Sequence, residues 1–152
     1  MDYRYNDEVL LSINETVYNK FLEYMKNYNF TIESGGIIAG TLEPSYKRIV
    51  ATDITEPQVQ DRCSAFAYKR SKFGHQEIMD SLWENSKNSK TYIGEWHTHN
   101  QQVPQPSFID RRNWLNISRR RQNSNWLFFI IIGTKQIGVW TISNGKIVEM
   151  TI

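Results

Sequence analysis

Two of the chain's three histidines, His97 and His99, stand two residues apart in the segment GEWHTHNQQVPQPSFIDRRNW, residues 94–114. In a strand, residues i and i+2 project to the same face, so both imidazoles can converge on one point. Residues 100–106 then make a loop, and Ser107-x-x-Asp110 opens a helix whose first turn can return a carboxylate to that point. Two imidazoles and one carboxylate, with a fourth position open, is how catalytic zinc centres are built. A metal there lowers the pKa of a bound water from about 16 to about 7. Such a site still needs a base for the water's proton and a donor for the developing oxyanion.

Each element of the set also has a structural reading. Ser107-x-x-Asp110 is a capping box, and two strand-end histidines can be a satisfied polar pair. A cap alone, however, does not require His-x-His upstream, and the combination points to a metal. The base is open on spacing alone. Glu95 lies two residues before His97 and should share its strand face, so it competes with Glu33.

The elements that must position these residues follow from local pattern. Val9–Ile13 is short, apolar and bounded, as a strand is, and Ser12-Ile13-Asn14-Glu15 has capping-box form. Val17, Phe21, Tyr24, Met25 and Tyr28 recur at helical spacing, predicting a first helix over about residues 15–29. Residues 35–43 and 47–55 read as a hairpin turning at Pro44-Ser45, and SAFAYKRS as a further strand. Ile78, Leu82 and Trp83 predict a second helix over residues 73–84, in which His75 reads as structural. TYIGEWHT (residues 91–98) is a strand, residues 107–121 a third helix, and WLFFIIIG, QIGVWTIS and KIVEMTI the last strands. Ser143-Asn144-Gly145 turns the final hairpin. The order is α/β: a single domain over residues 1–152, with a central mixed sheet flanked by about three helices. Trp96 and Trp114 read as core, Trp114 one turn past Asp110, where it can hold the carboxylate in place.

Composition removes several classes. The 152 residues include one cysteine, Cys63, so an intrachain disulfide and the cysteine-pair ligand set of zinc deaminases are both excluded. MDYRYNDEVL lacks the apolar core of a signal peptide and WLFFIII is too short to cross a bilayer, so a cytoplasmic protein without membrane contact is expected. No His-Glu-x-x-His helix is present. Non-haem iron oxygenases share a two-histidine, one-carboxylate set, but three helices argue against their usual all-β jelly rolls. Arg112, Asn116, Arg119 and Arg120 share one side of the third helix, with Arg111 and Arg121 nearby. A net charge of +2 favours a solvated face, or an acidic protein partner, over nucleic acid.

These residues resemble a known family. His97-Thr98-His99, residues 100–106, Ser107 and Asp110 match the JAMM motif of JAB/MPN metalloproteases. Glu33-Ser34-Gly35-Gly36-Ile37-Ile38-Ala39-Gly40 looks like the family's upstream glutamate and glycine-rich strand. Element order agrees from about Leu10 to Val148. The resemblance implies a three-layer, cytidine-deaminase-like fold and one zinc ion per chain on His97, His99 and Asp110. It makes Glu33 the general base, leaving Glu95 a supporting or structural carboxylate, and gives Ser107 the oxyanion. Asn100 departs from the proline many relatives have after the second histidine, which touches the loop and not the chemistry. The long insertions of eukaryotic deubiquitinating members are missing. The chain is more similar to compact bacterial members encoded beside antiphage cyclic-nucleotide synthases, with E1/E2-like and nucleotidyltransferase partners. Those members cleave after the C-terminal tail of a ubiquitin-like, conjugated or fused protein. A sulfur-carrier precursor as substrate, and a non-catalytic MPN-type scaffold, are the alternative expectations.

Overall fold

The computed structural model describes residues 1–43, 47–121 and 126–152. In chain order the elements are β1 (Asp2–Tyr5), β2 (Val9–Ile13), α1 (Glu15–Asn27), β3 (Gly35–Leu42), β4 (Arg48–Ile54), β5 (Arg62–Cys63) and β6 (Tyr68–Lys69). There follow α2 (His75–Asn85), β7 (Thr91–Thr98), α3 (Phe108–Arg120), β8 (Phe128–Ile132), β9 (Ile137–Ser143) and β10 (Lys146–Glu149).

Eight strands join in one mixed sheet, in the order β1-β2-β4-β3-β7-β8-β9-β10. The β2–β4 and β7–β8 pairs are parallel and the others antiparallel. Alternation along the strands divides the core in two. Ile38, Trp96, Phe128, Ile130 and Ile132 pack with Val17 and Phe21 of α1 on one face. On the other, Phe129, Ile131 and Trp140 meet Trp114 of α3, while Ile37 and Ala39 meet Met79 of α2. The expected three layers are present. Each large side chain fully buried in these clusters contributes about 1.5–3 kcal/mol over leaving it in water. Beyond β10, Thr151 bridges back to Arg4 of β1 with backbone N–H···O distances of 2.6 and 2.9 Å. Among the described residues no helix is long and apolar enough to cross a membrane.

Several local expectations need correction. Ser12 is not a cap: it still belongs to β2, where its hydroxyl accepts from Arg48 Nε at 3.0 Å. The N-cap of α1 is Asn14, whose Oδ1 accepts Val17 N–H at 2.8 Å. Of SAFAYKRS only Tyr68–Lys69 forms a strand, β6, which pairs with β5 across the turn at residues 64–67 and stands apart from the main sheet. The Pro44-Ser45 turn lies outside the described residues. The Asn144-Gly145 turn has both residues at positive φ, 51° and 72°, as a two-residue hairpin turn demands.

Candidate metal centre

Strand β7 carries the histidines, and it lies inside the sheet between β3 and β8. His97 is opposite Gly35 of β3 and Ile131 of β8. Gly35 is required there: a Cβ would stand 2.1 Å from the Trp96 carbonyl oxygen and 2.8 Å from His97 Cα. His99, just past the strand end, continues the ladder by donating its N–H to Ile132 O at 3.0 Å. Trp114, buried against Phe129 with ring centroids 4.6 Å apart, also flanks the His97 ring at 6.4 Å. As expected, Trp96 and Trp114 are both core residues.

His97, His99 and Asp110 come together in space. The two Nε2 atoms are 3.0 Å apart, Asp110 Oδ1 lies 3.3 Å from His97 Nε2, and Oδ2 lies 3.3 Å from His99 Nε2. A tetrahedral ion with bonds of about 2.0–2.1 Å separates neighbouring donor atoms by roughly 3.3 Å. The donor set fits a zinc-sized ion in chemistry, and its closest contacts lie near that spacing, with a different carboxylate oxygen facing each histidine. His99 Nδ1 faces Gln101 Oε1 at 3.4 Å, an acceptor that favours a proton on Nδ1 and leaves Nε2 its lone pair.

The capping-box reading of Ser107-x-x-Asp110 holds, and it leaves the carboxylate facing the histidines. Ser107 is the N-cap of α3, and the capping box is complete. Asp110 Oδ2 accepts from Ser107 N–H at 2.7 Å and from its hydroxyl at 2.6 Å, while Ser107 Oγ accepts Asp110 N–H at 3.1 Å. The cap thus aims the carboxylate at the histidines.

Glu33 lies on the segment entering β3, with Oε1 3.5 Å from His99 Nε2 and its side chain 13% exposed. A cleft of about 600 Å³, lined by Phe30, Glu33, Phe66, Asn100 and Ser107 among others, opens onto it. Burial opposes charge on Asp110, but hydrogen bonds from His97, His99 and Ser107 outweigh it and hold the carboxyl well below its ordinary range. Burial pushes the Glu33 carboxyl up and nearby Asp110 adds to this, against a partial pull downwards from the two histidines. For His99 burial lowers the pKa, but Asp110 and Glu33 reverse the balance and raise it.

Glu95, the rival base, is held elsewhere. Its Oε1 pairs with Arg70 at 3.0 Å and accepts from the Tyr92 hydroxyl at 3.3 Å, in a separate cavity of about 350 Å³ that α2 and α3 residues help to line. Sequence reasoning missed Thr98, between the two histidines. Its Oγ1 accepts Ser34 N–H at 3.0 Å and its N–H donates to Ser34 O at 2.8 Å, tying the residue after Glu33 to the ligand strand. Strand alternation was the available signal, since Thr98 must face away from both histidines.

In this α/β domain His97 of β7, His99 just past its end and Asp110 of α3 form a donor set that could hold a metal ion. The chain is a member of the JAB/MPN family: the prokaryotic homologs of the JAB domain match residues 17–143. Three relatives described as CD-NTase/cGAS isopeptidase are similar to it. One from Pseudomonas aeruginosa is 27% identical over 128 residues, covering 84% of this chain and 80% of its own. One from Vibrio cholerae is 29% identical over 136 residues, covering 88% and 82%. One from Escherichia coli is 35% identical over 92 residues, covering 60% and 58%. The solution structure of a Desulfitobacterium hafniense protein matches with a TM-score of 0.58 at 16% identity, over 93% of this chain and 90% of that one, and supports the fold alone.

Proposed function

We propose that this chain is a zinc-dependent isopeptidase acting in the cytoplasm, in bacterial antiphage defence. It hydrolyses the amide bond after the C-terminal tail of a ubiquitin-like, conjugated or fused protein, with E1/E2-like and nucleotidyltransferase proteins as partners. We read residues 1–152 as one such domain. The observation that supports the reading is the meeting of two Nε2 atoms and the Asp110 carboxylate at one point, with the Glu33 carboxylate beside it at the cleft. The descriptions of the relatives support the reaction class.

A zinc ion on His97, His99 and Asp110 would supply Lewis-acid polarisation of the scissile carbonyl and a water of lowered pKa. Glu33 takes a proton from the attacking water as its oxygen bonds to the carbonyl carbon. It then delivers that proton to the departing amine nitrogen as the C–N bond breaks. Ser107 donates its hydroxyl proton to the oxyanion, which requires the hydroxyl to turn from Asp110 Oδ2, its present acceptor. Phe30 and Phe66 give the cleft apolar walls for an extended tail.

The test is zinc content by elemental analysis of the wild type and of His97→Ala/His99→Ala, each checked for folding, with hydrolysis of a ubiquitin-like protein fused at its C-terminus. About one zinc per chain, lost with activity in the variant, is expected. Folded wild type that takes up no zinc when it is supplied overturns the reading.

A further inference from the structure

A second polar cluster closes against β3, apart from the metal ligands. His75, the first residue of α2 and fully buried, has Nε2 2.9 Å from Asp61 Oδ2 and Nδ1 2.6 Å from Thr55 Oγ1. One neutral tautomer satisfies this arrangement: Nε2–H donates to the carboxylate and Nδ1 accepts the Thr55 hydroxyl proton. Thr55 Oγ1 in turn accepts Ile37 N–H at 2.7 Å. The Tyr68 hydroxyl lies 2.9 Å from Asp61 Oδ2 and 2.8 Å from Gly35 O. Backbone N–H groups of Gln58 and Ser71 donate to the remaining Asp61 positions at 2.9 and 2.8 Å.

Hydroxyl, imidazole and carboxylate in a row have the connectivity of a nucleophilic triad. No substrate can reach this one, because Thr55 is 1% exposed and its oxygen is already occupied by Ile37 N–H. What matters is what the cluster holds. Ile37 and Gly35 belong to β3, which begins two residues after Glu33. Between Asp61 and Tyr68 the chain makes a turn closed by Ser64 N–H to Ala67 O at 2.9 Å, and Ser64 O accepts Glu33 N–H at 2.8 Å. Phe66 at the tip of that turn is 84% exposed and lines the same cleft as Glu33. The Glu33 segment is thus gripped from two sides, by Thr98 of the ligand strand and by the 61–68 arm.

We propose that Tyr68, Asp61, His75 and Thr55 form a positioning clamp that sets the Glu33 carboxylate, and the cleft-facing turn at Phe66, relative to the metal ligands. The clamp rests on the reading of Glu33 as general base. Its members touch no reacting atom; they act through the backbone of residues 33–37 and 61–68. A displacement of about 1 Å in a reacting group is enough to cost roughly a hundredfold in rate, so a clamp of this kind governs turnover more than binding.

Tyr68→Phe and Thr55→Val each delete one hydroxyl and nearly preserve shape, and Thr55→Ser keeps the hydroxyl. The measurements are steady-state kinetics of the zinc-loaded proteins on a C-terminally fused ubiquitin-like substrate, zinc stoichiometry, and amide hydrogen exchange at Glu33 and Ile37. In the first two variants kcat should fall about tenfold or more, with KM within about twofold and zinc unchanged. Thr55→Ser should restore most of kcat. Amide exchange should quicken about tenfold, at Glu33 in Tyr68→Phe and at Ile37 in Thr55→Val. Wild-type kcat in both deletions, or unchanged exchange at Glu33 in Tyr68→Phe, overturns the clamp even where thermal stability drops. If the wild type cleaves no such substrate, the reading of the reaction fails separately, and exchange at Glu33 still decides whether the clamp holds that segment.

Discussion

Ser107 and Asp110 hold each other through three hydrogen bonds, and the same carboxylate faces both histidines. Starting the helix and presenting Asp110 to the histidines are one event in this chain. Ser107→Ala should therefore do two things together. Loss of the cap costs about 1 kcal/mol of stability, or roughly 2–4 °C in Tm for a domain of this size. Loss of the hydroxyl that steadies Asp110 weakens zinc binding by about tenfold or more. Thermal melts and competition with a metal chelator measure the two effects, and unchanged zinc affinity would break the link between them.

Glu33→Gln keeps shape and removes the proposed base. Turnover should fall by about 10²–10⁴ while zinc stoichiometry stays at the wild-type value. Retained turnover would assign the proton transfer to another group.

Gly35→Ala and Gly145→Ala make a matched pair. At Gly35 the new methyl meets backbone and His97, whereas at Gly145 nothing lies within 4 Å and only the φ of +72° opposes it. The first should cost about 1–3 kcal/mol from forced backbone shifts and weaken zinc binding. The second should cost about 1–2 kcal/mol of backbone strain with zinc affinity unchanged. Equal zinc affinity in the two variants would contradict the close packing of β3 against the ligand strand.

Asp61 supplies a pH signature. Burial opposes its charge, but hydrogen bonds from Gln58, Ser71, His75 and Tyr68 hold its carboxyl below the ordinary range. A depressed folded-state pKa stabilises above the unfolded value, about 3.9, and that contribution disappears as pH falls through the folded one. The stability gap between wild type and Asp61→Asn, from denaturant unfolding, should be constant near neutrality and narrow below about pH 4. A gap that stays constant to pH 3 would show that folding does not lower the Asp61 pKa.

Much of this was legible in the sequence because it is local. Strand β7 and its histidines follow from alternation over residues 91–98, and the helix start from a four-residue cap signal. The β3–β4 hairpin follows from two apolar runs. What escaped is short or long-range. Strand β1 is four residues with only Tyr3 buried in the core, too brief for a period to register. Thr55, Asp61, Tyr68 and His75 obey no period, and only the fold assembles them. Glu95 could not be dismissed by spacing, since its engagement by Arg70 comes from a distant loop.

The strand that carries the histidines has no free backbone, for β3 occupies one side and β8 the other. An incoming tail cannot be read by adding a strand to it. On the proposed reading, recognition of the tail falls to the short connections around the cleft, those bearing Phe30, Phe66 and Asn100. The turn bearing Phe66 also takes the Glu33 N–H, so a change written into that loop reaches the Glu33 backbone as well as the cleft wall.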